Sequence, residues 1–319
     1  MLLFEKAYIL KRKVIKTYQK YFTIQHPETY MLSDKSFIKK LYKERMGKKI
    51  NLSNPKTFCE KQNWLKLYDR KPIYTVMVDK YLARKFVAER IGEEYLVPLL
   101  GVWDDADEID FSTLPDKFVL KCNHNSDVTI CTDKSTLDVE KVRKKLKYQL
   151  KSDYYLRKRE WPYKNVPRKL ICEKYMENDD KSSPIEYKVF CFNGIPKYIN
   201  VISGRFVNKE ITIDTYDENW NLTNLTKGGH FHSTNIFEKP IFYNEIIEIA
   251  KKLSSNTPFL RVDFNFWNGK IYFGELTLYD SAGFEKYEPE EWNYILGDCL
   301  TLPKKAGDNY DTTKMDNYC

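Results

Sequence analysis

One stretch of this sequence combines residue types that strand packing does not ask for. In "FLRVDFNFWNGKIYFGELTLYDSAGF", residues 259–284, Arg261, Asp263 and Asn265 alternate with Leu260, Val262, Phe264 and Phe266, and Glu275 and Thr277 alternate with Leu276 and Leu278. Side chains alternate across a strand, so one face is built for a core and the other carries an arginine, two carboxylates and a hydroxyl. Asn268-Gly269 marks the turn of a hairpin. A two-residue turn pairs Trp267 with Lys270 and sends Glu275 to the apolar face. A three-residue loop over Asn268, Gly269 and Lys270 instead pairs Trp267 with Ile271, Asp263 with Glu275 and Arg261 with Thr277. The second register keeps the polar residues together and is the one expected. Two carboxylates directly opposite repel unless a cation lies between them. The hard oxygens of Asp263 and Glu275 suit Mg2+, which takes one or two carboxylates together with substrate phosphates.

The elements that must position this hairpin follow from periodicity. Up to about residue 100 the pattern is helical: "SDKSFIKKLYKERMG" with a Ser or Asp cap and a terminal Gly47, "NPKTFCEKQNWLKLYDRKP" stopped by Pro72, and "YTVMVDKYLARKFVAERIG" read as one helix ending at Gly92. After Pro98 come short β-rich runs at 117–122, 128–132, 169–176, 186–202 and 210–217. Helices are expected over 136–156 and 244–256. No βαβ unit with a glycine-rich turn is present, which argues against a dinucleotide-binding lobe. The expected class is α+β, with two β lobes each carrying a helix.

Residues farther upstream fall in a matching order. Arg261-Val262-Asp263 and Glu275-Leu276-Thr277 followed by "YDSAGF" resemble the C-terminal metal-binding segment of the ATP-grasp ligases. Thr277 stands where most of that superfamily has Asn. "TFCEKQNWLKLYDRKPIYTVMVDKYLAR", "YLVPLLGVW", "LPDKFVLKCNH", "REWPYKNVPRKLICEKYM" and "FGELTLYDSAGFEKYEPEEW" resemble the TupA-like branch, over roughly residues 50–303.

The resemblance implies an ATP-grasp fold whose two β lobes clasp ATP, after a helical N-terminal region. The implied boundaries are 1–76, 77–175 for the first lobe, 176–303 for the second and 304–319 for a polar tail. It also implies site roles: Lys80 and Lys121 contact the ATP phosphates; Asn123, His124 and Ser126 line a glycine-free phosphate loop; and Glu173, the Lys174 carbonyl and the Met176 N–H meet the nucleoside. Glu186 and Lys188 face the cleft, Asp263, Glu275 and Thr277 hold Mg2+, and Arg261 with the backbone at Gly283 stabilises developing negative charge. The implied activity is ATP-dependent joining of a carboxylate to an amine through an acylphosphate, on a surface-glycan precursor and an amino acid or peptide. The alternatives are phosphoryl transfer to a sugar hydroxyl and glycosyl transfer. The latter predicts an Asp-x-Asp-like motif within a Rossmann-type lobe, and no such lobe is evident.

Composition narrows the remaining classes. The net charge is +8, but the first 49 residues hold 13 of the 53 Lys+Arg and 4 of the 45 Asp+Glu, leaving the remainder with 40 and 41. The body is therefore neutral, and no nucleic-acid partner is expected. In residues 1–22 an apolar face through Leu3, Ala7, Leu10, Val14, Tyr18 and Tyr21 opposes Lys6, Arg12, Lys13, Lys16 and Lys20. This segment is read either as a helix docked on its own protein or as an interfacial helix resting on anionic lipid. No run of about twenty apolar residues is present, and the charges at Glu5, Lys6 and Lys11 to Lys13 exclude a secretory signal. Seven cysteines without a C-x-x-C pair read as reduced thiols, three of them buried in strand-like runs. A cytoplasmic protein follows, with peripheral contact at the inner membrane face as the lipid alternative.

Overall fold

The computed structural model describes residues 31–179, 184–204, 211–234 and 236–304. The amphipathic segment 1–22, Arg205 and residues 305–319 of the polar tail lie outside them. The chain divides into two compact units, residues 1–49 and 50–319. In the first, α1 (Asp34–Met46) is capped by Ser33, whose hydroxyl accepts from Ser36 N, and ends at Gly47 in the left-handed conformation (φ 71°).

The second unit begins with α2 (Phe58–Tyr68), which opens on a capping box in which Thr57 and Glu60 satisfy each other's backbone N–H. The helix expected over 74–91 is two helices, α3 (Ile73–Val78) and α4 (Leu82–Ile91). Asp79 leaves helical geometry at ψ 112°, and its Oδ1 accepts from the N–H groups of Tyr81 and Leu82 at 2.8 and 3.2 Å. A buried aspartate at this point starts a helix afresh. The break also frees the Lys80 N–H to bond Asn123 O at 3.1 Å.

The first sheet, in the order β1-β4-β2-β3, is antiparallel throughout: β1 (Leu99–Trp103), β2 (Phe118–Cys122), β3 (Val128–Cys131) and β4 (Leu170–Lys174). Phe118, Leu120, Cys122, Leu170 and Cys172 form one core with Val142, Leu146 and Leu150 of α5 (Val139–Leu150). Alternation turns Lys121 and Glu173 to the opposite face. The helix expected over 136–156 stops at Leu150, and a short α6 (Tyr154–Lys158) follows. At the break the Ser152 hydroxyl bonds the Gln149 carbonyl at 2.8 Å, the competition with the helix ladder that short polar side chains offer.

The second sheet, in the order β10-β9-β5-β6-β7, is also antiparallel: β5 (Ile185–Phe192), β6 (Ile195–Ser203), β7 (Thr212–Asp217), β9 (Phe259–Trp267) and β10 (Lys270–Thr277). Its core face is covered by α7 (Tyr243–Ser254), which buries Ile246, Ile249, Ala250 and Leu253. A two-stranded strap pairs β8 (Thr226–Lys227) with β11 (Tyr287–Glu288), and α8 (Glu291–Cys299) closes the unit. The body is α+β. Among the described residues no helix is long and apolar enough to cross a membrane, and the described cysteines are free, with Cys122, Cys172 and Cys191 buried.

The hairpin corrects the expected loop, and with it the Trp267–Ile271 pair, while keeping the expected pairs of Asp263 with Glu275 and Arg261 with Thr277. Lys270 faces Trp267, so the turn is the two-residue Asn268-Gly269, with φ 45° and 75°, the positive values of a type I′ turn. A bulge at Gly274 then shifts the register, and beyond it Glu275 faces Asp263 and Thr277 faces Arg261. The extra residue flips the strand, so Ile271 and Phe273 before it and Leu276 after it all point into the core. A Cβ at Gly274 would meet the Asp263 carbonyl oxygen at 3.0 Å and Asn265 Nδ2 at 3.1 Å. Gly274→Val is accordingly expected to destabilise the fold by about 1–3 kcal/mol in a denaturant titration, with the strain falling on the Asp263 and Glu275 register.

Candidate active site

Arg261 is the hub of the polar face. Its Nε and Nη2 grip Asp263 Oδ1 and Oδ2 at 2.6 and 2.7 Å, Nη2 also donates to Glu275 Oε1 (3.1 Å) and Thr277 Oγ1 (3.0 Å), and Nη1 donates to Asp280 Oδ1 at 2.6 Å. Burial alone would lower the guanidinium's pKa, but Asp263 and Asp280 outweigh it and hold Arg261 well above its ordinary value. Lys188, directly across from Asp263 on β5, reaches its Oδ2 at 2.6 Å and Glu186 at 3.4 Å. Glu275 is also opposed by Lys80, 3.9 Å from Oε2. Burial pushes the Glu275 carboxyl up, yet Lys80, Arg261 and Lys188 together bring it down to about 2.

Facing this group from the first lobe are Lys80, Arg84, Lys121 and Glu173. Lys121 Nζ bonds Glu173 Oε2 at 2.6 Å, and Arg84 Nη1 lies 3.4 Å from Glu173 Oε1. Lys80 Nζ donates to the Asn125 carbonyl at 2.8 Å, and burial lowers its pKa despite Glu275. A single cleft is lined by Lys80, Arg84, Lys121, Tyr163, Glu173, Gly274 and Glu275. Lys80 and Arg84 share one face of the α3–α4 segment, while Lys85 is exposed. The helix break at Asp79 is what turns Lys80 inward.

Of the three expected side-chain donors in the loop 123–127, two point elsewhere. Asn123 is fully buried: its Nδ2 donates to Asp79 Oδ1 (2.9 Å) and Pro167 O (2.7 Å), and its Oδ1 accepts from Lys169 N (2.9 Å). His124 is buried with Nε2 3.2 Å from Ser152 O, and burial lowers its pKa to about 4. The Asn123 amide is thus satisfied internally and fastens the loop rather than facing a ligand, whereas His124 is tied to the Ser152 carbonyl through Nε2 only and its buried Nδ1 has no hydrogen-bond partner among the described residues. Ser126 is exposed, and its hydroxyl meets Tyr154.

Lys174 and Met176 stand where the chain leaves β4 for the second sheet. That connection is tied to the hairpin tip: Asn268 N donates to Asn178 Oδ1, and Asn268 Oδ1 accepts from Asp179 N, at 3.0 and 2.9 Å.

Gly283 belongs to a turn in which Ser281, Ala282 and Gly283 all have positive φ (49°, 56° and 72°). The turn is pinned from α2, where Lys66 Nζ donates to Ala282 O at 2.9 Å and Asn63 Nδ2 to Gly283 O at 2.7 Å. A Cβ at Gly283 would meet Asn63 Nδ2 at 2.8 Å, so both conformation and space require glycine here. Sequence reading missed Arg84 and Tyr163 as lining groups and Asp280, Lys227 and Tyr287 behind Arg261. Arg84 was legible at i+4 from Lys80; the others lie on segments that only tertiary packing brings together.

A model of the TupA-like ATPgrasp family matches residues 60–301. The chain belongs to this family. The two-sheet body of this TupA-like protein is thus an ATP-grasp fold, and the matched span contains every site residue named above. No curated protein matches the chain. Among solved structures it is similar to D-alanine–D-alanine ligase from Bacillus anthracis complexed with ATP (15% identity, 69% of this chain and 55% of that chain, TM-score 0.38). It is also similar to D-cycloserine synthetase DcsG (15%, 72% and 70%, TM-score 0.41) and to the ATP-grasp ligase PsnB complexed with a precursor variant, Mg and ADP (10%, 75% and 63%, TM-score 0.40). The TupA-like chain spans only about half the length of the first of these.

Proposed function

We propose that this protein is an ATP-dependent carboxylate–amine ligase. The observation that carries the reading is the Arg261 hub, a buried guanidinium joining Asp263, Glu275, Thr277 and Asp280, across one cleft from Lys80 and Lys121. Asp263, Glu275 and Thr277 would hold Mg2+. The donor set fits: all are hard oxygens, adjacent across the hairpin, and 39% of the Glu275 side chain is open to solvent. The ion, when bound, would neutralise charge on the ATP phosphates.

The rest of the chemistry belongs to this chain's own groups. Lys80 and Lys121 offset the phosphate charge, and Lys121 exchanges its Glu173 partner for the nucleotide. Glu173, the Lys174 carbonyl, the Met176 N–H and Glu186 bind the nucleoside end, and Ser126 borders the phosphates. A substrate carboxylate attacks the γ-phosphoryl group, giving an acylphosphate and ADP. An amine then attacks the acyl carbon, and the tetrahedral intermediate expels phosphate. Arg261 and the backbone of the 281–283 turn stabilise the negative charge that develops in both steps. The finer reading is that the acid and amine are a surface-glycan precursor and an amino acid or peptide.

The test supplies Mg·ATP with a panel of amino acids and uronic-acid glycans and follows phosphate release, with hydroxylamine present to trap an acylphosphate. Carboxylate-dependent hydroxamate supports the ligase. Phosphate transfer to a hydroxyl without hydroxamate replaces it by a phosphotransferase. Lys121→Ala should weaken nucleotide binding about tenfold by calorimetry, while Glu173 keeps Arg84 as its partner and the fold is retained. Unchanged affinity would return Lys121 to a structural role. Residues 1–22 are proposed to hold the protein at an anionic membrane surface, each basic residue contributing about 1 kcal/mol. Sedimentation with anionic vesicles at low salt should then be lost on deleting that segment.

A further inference from the structure

Asp280 is not one of the residues to which the sequence pattern gives a role, yet it is fully buried directly behind the hub. Its Oδ1 accepts from Arg261 Nη1 at 2.6 Å, Lys227 Nζ lies 3.3 and 3.1 Å from its two oxygens, and the Tyr287 hydroxyl donates to Oδ2 at 3.2 Å. Lys227 and Tyr287 are paired with each other across the strap, and Lys227 Nζ also lies 4.8 Å from the centre of the Phe190 ring. Asp280 immediately precedes the left-handed turn at 281–283. One carboxylate therefore joins the arginine, the strap and the turn.

The geometry separates two jobs on Arg261. Its Nε and Nη2 edge is committed to Asp263, a residue assigned here to Mg2+, and that grip must be shared when a cation competes for the same oxygens. The Nη1 bond to Asp280 touches no assigned metal ligand. We infer that Asp280 is a positioning residue, which fixes the Nη1 edge of Arg261 to the strap through Lys227 and Tyr287 so that guanidinium and turn meet the transferring phosphoryl group as one rigid unit. This rests on the ligase reading. A carboxylate placed between two buried cations suits the task, because bond strength and direction are both high in a site that excludes water.

The probe is Mg·ADP with and without aluminium fluoride, whose adduct imitates a transferring phosphoryl group and needs no knowledge of the acid or amine. The wild-type protein should bind Mg·ADP more tightly with fluoride than without. Asp280→Asn should lose about ten- to a hundredfold of that extra tightness while its affinity for Mg·ADP alone stays the same. A merely structural role would lower both together or neither. If Asp280→Asn fails to fold, Tyr287→Phe decides, since it removes only the hydroxyl on Oδ2: partial loss of the extra tightness supports the role, and none overturns it. In an Arg261→Lys background Asp280→Asn should have little further effect, and full additivity would overturn the role. A wild-type protein that binds Mg·ADP without any fluoride enhancement sinks the phosphoryl-transfer reading, and this role with it. Intact enhancement in Asp280→Asn sinks the positioning role alone.

Discussion

Asp263→Asn should abolish turnover and also destabilise the protein. Sequence reasoning favours the opposite sign for stability, because two carboxylates facing each other across a hairpin repel, and neutralising one should raise the melting temperature. The structure reverses that expectation: Asp263 is gripped by Arg261 through two bonds of 2.6 and 2.7 Å and by Lys188 at 2.6 Å. An asparagine leaves two cations facing a neutral amide, and removing one partner of a buried pair costs about 3–5 kcal/mol. On the proposed role of Asp263 as a metal ligand, turnover should fall by roughly a thousandfold, with loss of the arginine's orientation contributing. The measurements are Mg·ATP-dependent phosphate release and thermal unfolding of the nucleotide-free protein. Full activity would remove Asp263 from the metal site, and a raised melting temperature would refute the pairing argument.

Arg261→Met is the second large effect, and its signature is pH. Glu275 sits at about 2, and Asp280 lies well below the usual carboxylate range, because Lys227 and Arg261 overcome the burial that would raise it. A depressed folded pKa contributes stability above the unfolded value, near 4, and loses it as pH falls toward the folded value. The wild-type protein should therefore weaken between about pH 4 and pH 2. Without Arg261 the buried Asp263 and Asp280 carboxylates keep only part of their counter-charge, and destabilisation of about 3–5 kcal/mol is expected at neutral pH. That deficit should shrink as pH falls through the window in which the wild-type protein loses its own advantage. Urea titrations of both proteins from about pH 7 to pH 2 measure this; a deficit independent of pH would show that Arg261 acts through packing alone.

The hairpin shows how far local pattern reached. Asn268-Gly269 names the turn, and the apolar positions change phase between Phe273 and Leu276, a local signal of the bulge. The longer loop is what a strict segregation of polar and apolar faces demands, and the bulge reaches the same Asp263–Glu275 pairing by another route. Asp79-Lys80 is the comparable case among the helices. Propensity reads through it, while a buried aspartate whose partners include Asn123, from a distant segment, breaks the helix and turns Lys80 into the cleft.

By itself the sequence determined the class of elements, the polar face of the hairpin with Arg261, Asp263 and Glu275 on it, and the family resemblance, because these follow from alternation and local motifs. Only the tertiary structure decided what holds each charge. Asn123 became a loop fastener because its burial demanded internal partners, which Asp79, Pro167 and Lys169 supply. Asp280, Lys227 and Tyr287 became the backing of Arg261 because the strap carries residues more than fifty positions apart into one buried cluster. Pairwise electrostatics depends on distance and on the exclusion of water, and neither is written in local sequence.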